Sequence, residues 1–119
     1  MNIEEVCADV PVIDAITPEG LHIGGQCYRA VILGGGAVSA PAEAAWTDLT
    51  ADSFRAAREA GAEVVLLGTG AKQHFLPAQI IAALAAQGIG IECMNTAAAA
   101  RTFTLLQSEG RKVWAWLWL

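Results

Sequence analysis

The stretch EVVLLGTG, residues 63–70, is the part of the sequence that decides the fold. Its first five residues are rich in β-branched and aliphatic side chains that would lie on both faces of a strand, and Gly68-Thr69-Gly70 then ends the run. This pattern is typical of a strand that is covered on both sides, as in a parallel sheet. The stretch GIGIECMNT, residues 88–96, repeats the order of helix end, strand and threonine-containing loop one βα unit later. Because crossovers between such units are right-handed, the sequence predicts two parallel strands.

Three helices are predicted around these two strands. Thr50 is a good N-cap and Gly61 a good C-terminal stop for the first helix. Pro77 suits the first turn of the second, and Gly88 closes it. Asn95 or Thr96 caps a third helix over residues 97–108. The inner face of the first helix is expected to contain Phe54, Ala57 and Ala60.

The flanking regions predict further strands. Residues 12–33 are expected to form an antiparallel hairpin whose second arm is bent or bulged at Gly24-Gly25. A surface loop is expected over residues 37–45 and a short extended piece over residues 46–49. Residues 113–119 alternate tryptophan with aliphatic side chains and predict a final strand.

Composition and charge limit the class of protein. The chain has 119 residues, of which 55% are apolar, so it can form one domain with a hydrophobic core, and disorder is excluded. A net charge of −5 argues against a basic nucleic-acid binder. Five acidic and no basic residues lie among the first 20, whereas the rest of the chain is neutral. We therefore expect an acidic arm over residues 1–11, followed by a single α/β domain over residues 12–119.

Cysteine use and the longest uncharged stretch predict a cytoplasmic protein without a metal or cofactor. Cys7, Cys27 and Cys93 are odd in number and lack CxxC spacing, which favours buried, reduced thiols over disulfides or a zinc site. The N-terminus has neither the basic start nor the apolar run of a signal peptide. The uncharged stretch over residues 73–91 contains proline and glycine, so a membrane span is not expected.

Several motifs resemble those of a known family of small α/β domains. They are LLGTG at residues 66–70, the block over residues 88–103, and Glu109-Gly110-Arg111. The family includes the mitochondrial respiratory complex I assembly factor 3, the adipogenesis-associated cytosolic protein of animals and many bacterial proteins. The resemblance covers residues 12–119. It implies a mixed central sheet flanked by helices, no established catalytic activity, and an assembly or regulatory role.

The chain departs from the family pattern at the start of the third helix. Asn95 stands where Asp is usual, Ala97 where Gly is frequent, Ala100 where Cys is frequent and Thr104 where Asn is frequent. If the family's Asp or Cys performed chemistry, these departures would remove it. They argue against cysteine-based catalysis at this block.

Six residues are candidates for a small anionic ligand site. In open α/β sheets, ligands bind outside the carboxyl ends of the strands, where both glycine- and threonine-containing loops would lie. The candidates are Gly68, Thr69, Gly70, Lys72, Thr96 and Arg101. The alternative is that the glycines form a tight turn, that Thr96 only caps a helix, and that Arg101 pairs with Glu92 or Glu109. Nucleotide-binding fingerprints are absent.

The tryptophan row of the last strand has two interpretations. Trp114, Trp116 and Trp118 would share one face of the strand. We favour a strand buried between layers. The alternative is a partly exposed row that forms a partner or dimer interface, because tryptophan is enriched in binding hot spots.

Two function classes follow. The first is a non-enzymatic interaction or assembly-type protein of bacterial kind, with a protein partner or a second copy as its target and no nucleic acid. The second is a binder of, or an enzyme for, a small anionic ligand at Gly68–Gly70, Thr96 and Arg101. His22 and His74 are isolated and predict neither a metal site nor a general base.

Overall fold

The computed structural model describes residues 12–119, and the acidic arm expected over residues 1–11 lies outside this range. Within it the chain forms an α/β domain with eight strands and three α-helices. The strands are β1 (Ile13–Thr17), β2 (Gly20–Ile23), β3 (Gln26–Tyr28), β4 (Ala30–Gly34), β5 (Ala37–Ser39), β6 (Val64–Thr69), β7 (Gly90–Met94) and β8 (Val113–Trp118). The helices are α1 (Arg55–Glu59), α2 (Ala78–Ala86) and α3 (Thr96–Ser108).

The main sheet has five strands in the order β5-β4-β8-β6-β7. Strands β6 and β7 are parallel, as the two βα units predict, and β6 is also parallel to β8. Strands β4 and β5 are antiparallel, and β4 runs antiparallel to β8. The predicted mixed sheet is therefore confirmed, and β8 is the strand that joins its parallel and antiparallel halves.

Both faces of the main sheet are covered. On one face, Trp116 and Trp118 share a core with Phe54, which directly precedes α1, and with Leu84 of α2. On the other face, Leu117 lies in a second core cluster that includes residues of α3 and of the first three strands. Residues 65–67 of β6 are completely buried, since β6 contributes side chains to both clusters.

The N-terminal region differs from the expected bulged hairpin. Strands β1, β2 and β3 form a separate three-stranded antiparallel sheet. Gly24 and Gly25 have φ values of 57° and 80° and form the two-residue turn between β2 and β3. Positive φ at both positions is what a type I′ hairpin turn requires, and a glycine pair supplies it without steric cost. The irregularity in pairing lies instead in β1, between Ile13 and Ala15.

Two other short segments also differ from the sequence-based expectation. The region expected as a loop over residues 37–45 begins with β5, which pairs with β4 through the turn at Gly35-Gly36. Residues 46–48 form a 3₁₀ helix rather than an extended piece. Trp46 stacks there on His74, at 5.2 Å between ring centroids, a contact between segments distant in sequence.

The helix ends follow the predicted signals. Thr50 and Ser53 form a reciprocal capping box ahead of a 3₁₀ turn that leads into α1. The Asn95 side chain accepts a hydrogen bond from the Ala98 N–H at 2.8 Å and caps α3. Phe54 and Ala57 are buried as expected, whereas Ala60 is exposed. No helix within residues 12–119 has the length and apolar character needed to cross a membrane.

A matched pair of phenylalanine substitutions tests this account of the core. Phe54 is fully buried and packs edge-on against Trp116, with 4.7 Å between ring centroids. We expect Phe54→Ala to lower the free energy of unfolding by about 3–5 kcal/mol, because it removes buried apolar surface and leaves a cavity. Phe75 is 68% exposed, so Phe75→Ala should change the free energy of unfolding by less than about 0.5 kcal/mol. Urea unfolding followed by tryptophan fluorescence measures both changes. Equal losses of unfolding free energy in the two variants would contradict the assignment of Phe54 to the core.

Candidate functional site

The carboxyl ends of β6 and β7 lie side by side, and helix α3 starts directly beside them. A Cβ atom added at Gly68 would lie 2.9 Å from Thr96 Oγ1 and 3.0 Å from Thr96 Cα. These distances are too short for a side chain, so glycine at position 68 permits the first turn of α3 to approach β6 closely. Gly68 has a structural reason to be glycine, independent of any ligand.

The Thr96 side chain is buried and fully engaged within the chain. Its hydroxyl accepts a hydrogen bond from the Gly70 N–H at 2.8 Å and donates one to the Trp118 carbonyl oxygen. The Thr96 N–H donates to the Gly70 carbonyl oxygen at 2.8 Å. Thr96 therefore connects the start of α3 to the ends of β6 and β8.

Thr69 organises the loop that follows β6. Its hydroxyl donates to the Lys72 carbonyl oxygen at 2.6 Å, and the Met94 carbonyl oxygen is a second acceptor at 3.2 Å. The same oxygen accepts a hydrogen bond from the His74 N–H at 3.0 Å. Thr69 thus closes the turn over residues 70–74 and links it to the end of β7.

Four of the six ligand candidates lie together in the structure, and the other two are exposed residues. Gly68, Gly70, Thr69 and Thr96 are neighbours at one edge of the sheet, but the two hydroxyls and the Gly70 N–H bond to the chain itself. The glycines and Thr69 form a tight turn, as the structural alternative expects, whereas Asn95 rather than Thr96 caps α3. Lys72 and Arg101 are exposed, on the loop and on α3 respectively.

Arg101 does not form the ion pair expected for it. Within residues 12–119 it has no salt bridge, so the pairing with Glu92 or Glu109 is wrong. Glu109 lies eight residues farther along, which corresponds to about 12 Å of helix rise. Glu92 is on β7, at the far edge of the sheet, whereas α3 packs mainly on β6 and β8.

Arg101 instead lines a cavity of about 430 Å³ between α3 and β1. The other lining residues are apolar or small: Ile13, Ala15, Ile16, Ala97, Ala100 and Thr104. A second cavity, of about 480 Å³, shares Ile16 and Ala97 with the first and extends to Gly70 and Asn95. We call the two together the β1–α3 groove. It runs from the carboxyl edge of the main sheet along α3 as far as Thr104.

Sequence reasoning identified Arg101 but missed the groove. Ala97, Ala100 and Thr104 recur at helical spacing and leave one face of α3 with small side chains, which is the signal in the sequence. The opposite wall belongs to β1, and only the tertiary structure brings it to α3.

The tryptophan row is mostly inside the protein. Trp116 is 1% exposed and Trp118 is buried, with the Trp118 indole N–H donating to the Ala44 carbonyl oxygen at 3.3 Å. These two rings have almost no surface to offer a partner. Trp114 is half-buried and lines a small pocket with Arg111 and Lys112 at the opposite end of the sheet.

The histidines and cysteines of residues 12–119 do not assemble into a cluster of three or more metal-ligating side chains. His22 Nε2 lies 2.8 Å from Thr17 Oγ1 and 4.0 Å from Cys27 Sγ. Cys93 is buried as expected, whereas Cys27 is exposed on β3, and Cys7 lies outside the described range.

Two substitutions at Thr96 test its structural role. Thr96→Val keeps the shape but removes the hydroxyl, leaving the Gly70 N–H and the Trp118 carbonyl without their partner. We expect a loss of about 1–3 kcal/mol in the free energy of unfolding for each such buried group. Thr96→Ser keeps the hydroxyl and should be clearly the more stable variant in thermal or urea unfolding. Equal stability of the two variants would contradict this role.

Comparison with known proteins shows which proteins share this domain. The family described as "Protein of unknown function (DUF498/DUF598)" matches residues 13–118. An uncharacterised protein of Rhodobacter capsulatus is 38% identical over 105 residues, which cover 87% of this chain and 80% of that protein. The "NADH dehydrogenase [ubiquinone] 1 alpha subcomplex assembly factor 3" of Danio rerio is 34% identical over 107 residues, covering 84% of this chain and 59% of the assembly factor.

A solved structure shares the whole fold. The solution structure of a Bordetella pertussis protein, described as a Mth938-like domain, has a TM-score of 0.78 and 26% sequence identity, covering 92% of this chain and 86% of that one. The chain spans about three-fifths of the Danio rerio assembly factor, so the shared part is the domain rather than that whole protein. Because the match extends from β1 to the end of β8, the chain belongs to the DUF498/DUF598 family of proteins of unknown function.

Proposed function

We propose that this chain is a non-catalytic, cytoplasmic protein-binding domain of the assembly-factor kind, and that it holds its partner in the β1–α3 groove. The observation that carries this proposal is the groove itself: an open, mainly apolar depression that contains one charged side chain, Arg101. Apolar depressions with few polar groups are typical of binding sites.

Exposed apolar side chains support the choice of this surface. Ile16 is 36% exposed and lines both cavities, and Val12, which directly precedes β1, is 55% exposed. Clustered apolar groups at a surface mark sites of protein interaction, because burying them against a partner removes them from water. A role in assembly is suggested by the name of the Danio rerio assembly factor, which contains a related domain.

Filling the groove should remove the partner. Ala97 is exposed and lines both cavities, so Ala97→Phe places a ring in the groove without adding charge. The matched control is Ala82→Phe on the exposed surface of α2, which carries the same cost in helix propensity. The partners are captured by crosslinking in cells and quantified by mass spectrometry. Relative to the unsubstituted chain, Ala97→Phe should capture roughly tenfold less of them, and Ala82→Phe should capture the same amount.

Two results would contradict the proposal. One is recovery of the same proteins by Ala97→Phe and by the unsubstituted chain in equal amounts. The other is recovery of no protein above background by either. Sedimentation of the purified chain identifies the homodimer alternative, since a second copy in the groove would give a dimer that Ala97→Phe dissociates.

A small anionic ligand is the second candidate, and one observation favours it. Arg101 is unpaired within residues 12–119 and borders a cavity of about 430 Å³, large enough for a small carboxylate or phosphate. Phosphate or acetate at concentrations far above its dissociation constant should then stabilise the protein by a few kcal/mol in a thermal-shift assay. Arg101→Ala should abolish the shift, whereas Arg111→Ala, at the other end of the sheet, should retain it. The absence of a shift at millimolar ligand would exclude this candidate.

A further inference from the structure

Strand β1 has an edge that is not paired within residues 12–119. It pairs only with β2, through contacts from Ile13↔Ile23 to Thr17↔Gly20, and it is the outer strand of its sheet. In an antiparallel pair, alternate residues direct their N–H and C=O groups away from the partner strand. Thr17 and Gly20 flank a two-residue turn as a hydrogen-bonded pair, so Ile16 directs its backbone groups outward. An open edge of this kind can accept another strand.

The unpaired edge faces the groove. Strand β2 contacts β4 of the main sheet, whereas β1 contacts α3, so β1 is the hairpin strand nearer the helix. Since β2 occupies one edge of β1, the edge on the α3 side is the open one. Ile16 lines both cavities of the β1–α3 groove, so β1 borders the groove at the residue whose backbone groups are directed outward.

The opposite wall of the groove consists of small side chains of α3. Ala97, Ala100 and Thr104 present small groups along one face of α3. A strand added to β1 would direct alternate side chains toward this wall, about 6.6 Å apart. Because the wall is mainly apolar, apolar side chains of the added strand fit against it.

The charge of the groove selects an acidic segment. Arg101 is the charged side chain among the residues that line the two cavities, and no Asp or Glu side chain is among them. The nearest acid along β1, Asp14, accepts a hydrogen bond from the Gly24 N–H at 3.2 Å and is held at that turn. In a chain with a net charge of −5, an exposed arginine without an acidic neighbour in its groove complements a carboxylate.

We infer that the groove binds an extended, acidic segment of a partner protein as an added strand on β1. The backbone of the segment bonds to the Ile16 N–H and C=O, apolar side chains lie against α3, and a carboxylate pairs with Arg101. Strand addition of this type gives affinity through the backbone and specificity through alternate side chains. The inference rests on the proposed function and specifies the chemistry of the partner.

The test begins with peptides selected for binding. Random octapeptides displayed on phage are selected on the full chain, and the enriched sequences should combine apolar residues at alternate positions with one Asp or Glu. The best peptide should slow hydrogen exchange of the Ile16 amide at least tenfold, as measured by NMR. Methylating alternate backbone nitrogens of that peptide should abolish binding to the unsubstituted protein, because it removes the donors that a strand needs.

Substitutions then separate the backbone from the side-chain contribution. Ile16→Pro removes the outward backbone N–H. Ile16→Ala shortens the same side chain but keeps that N–H. We expect Ile16→Pro to lose binding and Ile16→Ala to retain most of it. Arg101→Gln should weaken the binding of the acidic peptide roughly tenfold. The Arg101→Gln protein should then bind this peptide and the peptide with glutamine or asparagine in place of the acid equally well.

Three results would overturn the inference. They are the selection of no peptide or of peptides without a carboxylate, equal binding by Ile16→Pro and Ile16→Ala, and an Ile16 amide that already exchanges slowly in the free protein. If Ala97→Phe still removes partners in cells while peptides leave Ile16 unprotected, the groove binds a folded surface. The proposed function then survives and the added strand does not.

Discussion

The need to cover β8 on both faces governs the rest of the structure. Its tryptophans belong to one core and Ala115 and Leu117 to the other, so the strand is stable only between two layers. Hydrophobic burial of this kind is the main favourable term in folding. The helical segments on one side and the N-terminal sheet with α3 on the other meet this need. Strand β8 also makes the main sheet a mixed one, because it pairs antiparallel with β4 and parallel with β6.

Close packing at the carboxyl edge of the sheet gives a structural role to the loops that were predicted as ligand sites. Gly68 lets α3 start against β6, and Thr96 then uses its hydroxyl to join Gly70 and Trp118. Buried polar groups are normally satisfied in this way, which leaves little of their bonding capacity for a ligand. The open surface lies farther along α3, where Arg101 and Ile16 meet across the groove.

Features encoded within one short stretch of sequence could be predicted. The two-sided apolar run of β6, the Asn95 cap and the Thr50 cap each depend on a few neighbouring residues. The turn at Gly24-Gly25 could not be predicted, because a glycine pair also suits a bulge and only pairing with β3 distinguishes the two. Only one wall of the groove, the small side chains of α3, is visible in the sequence, because Ile16 and Ala97 are far apart in sequence and the fold brings them together.

The position of β8 has a consequence for how the domain forms during synthesis. It is the last strand of the main sheet to be translated, yet it lies between β4 and β6. Until it leaves the ribosome, the β4–β5 hairpin and the parallel β6–β7 pair are two fragments with unpaired inner edges. Contacts between distant residues form slowly, and such edges are prone to aggregate. The main sheet can therefore be completed only after β8 has been synthesised, when this strand enters between β4 and β6.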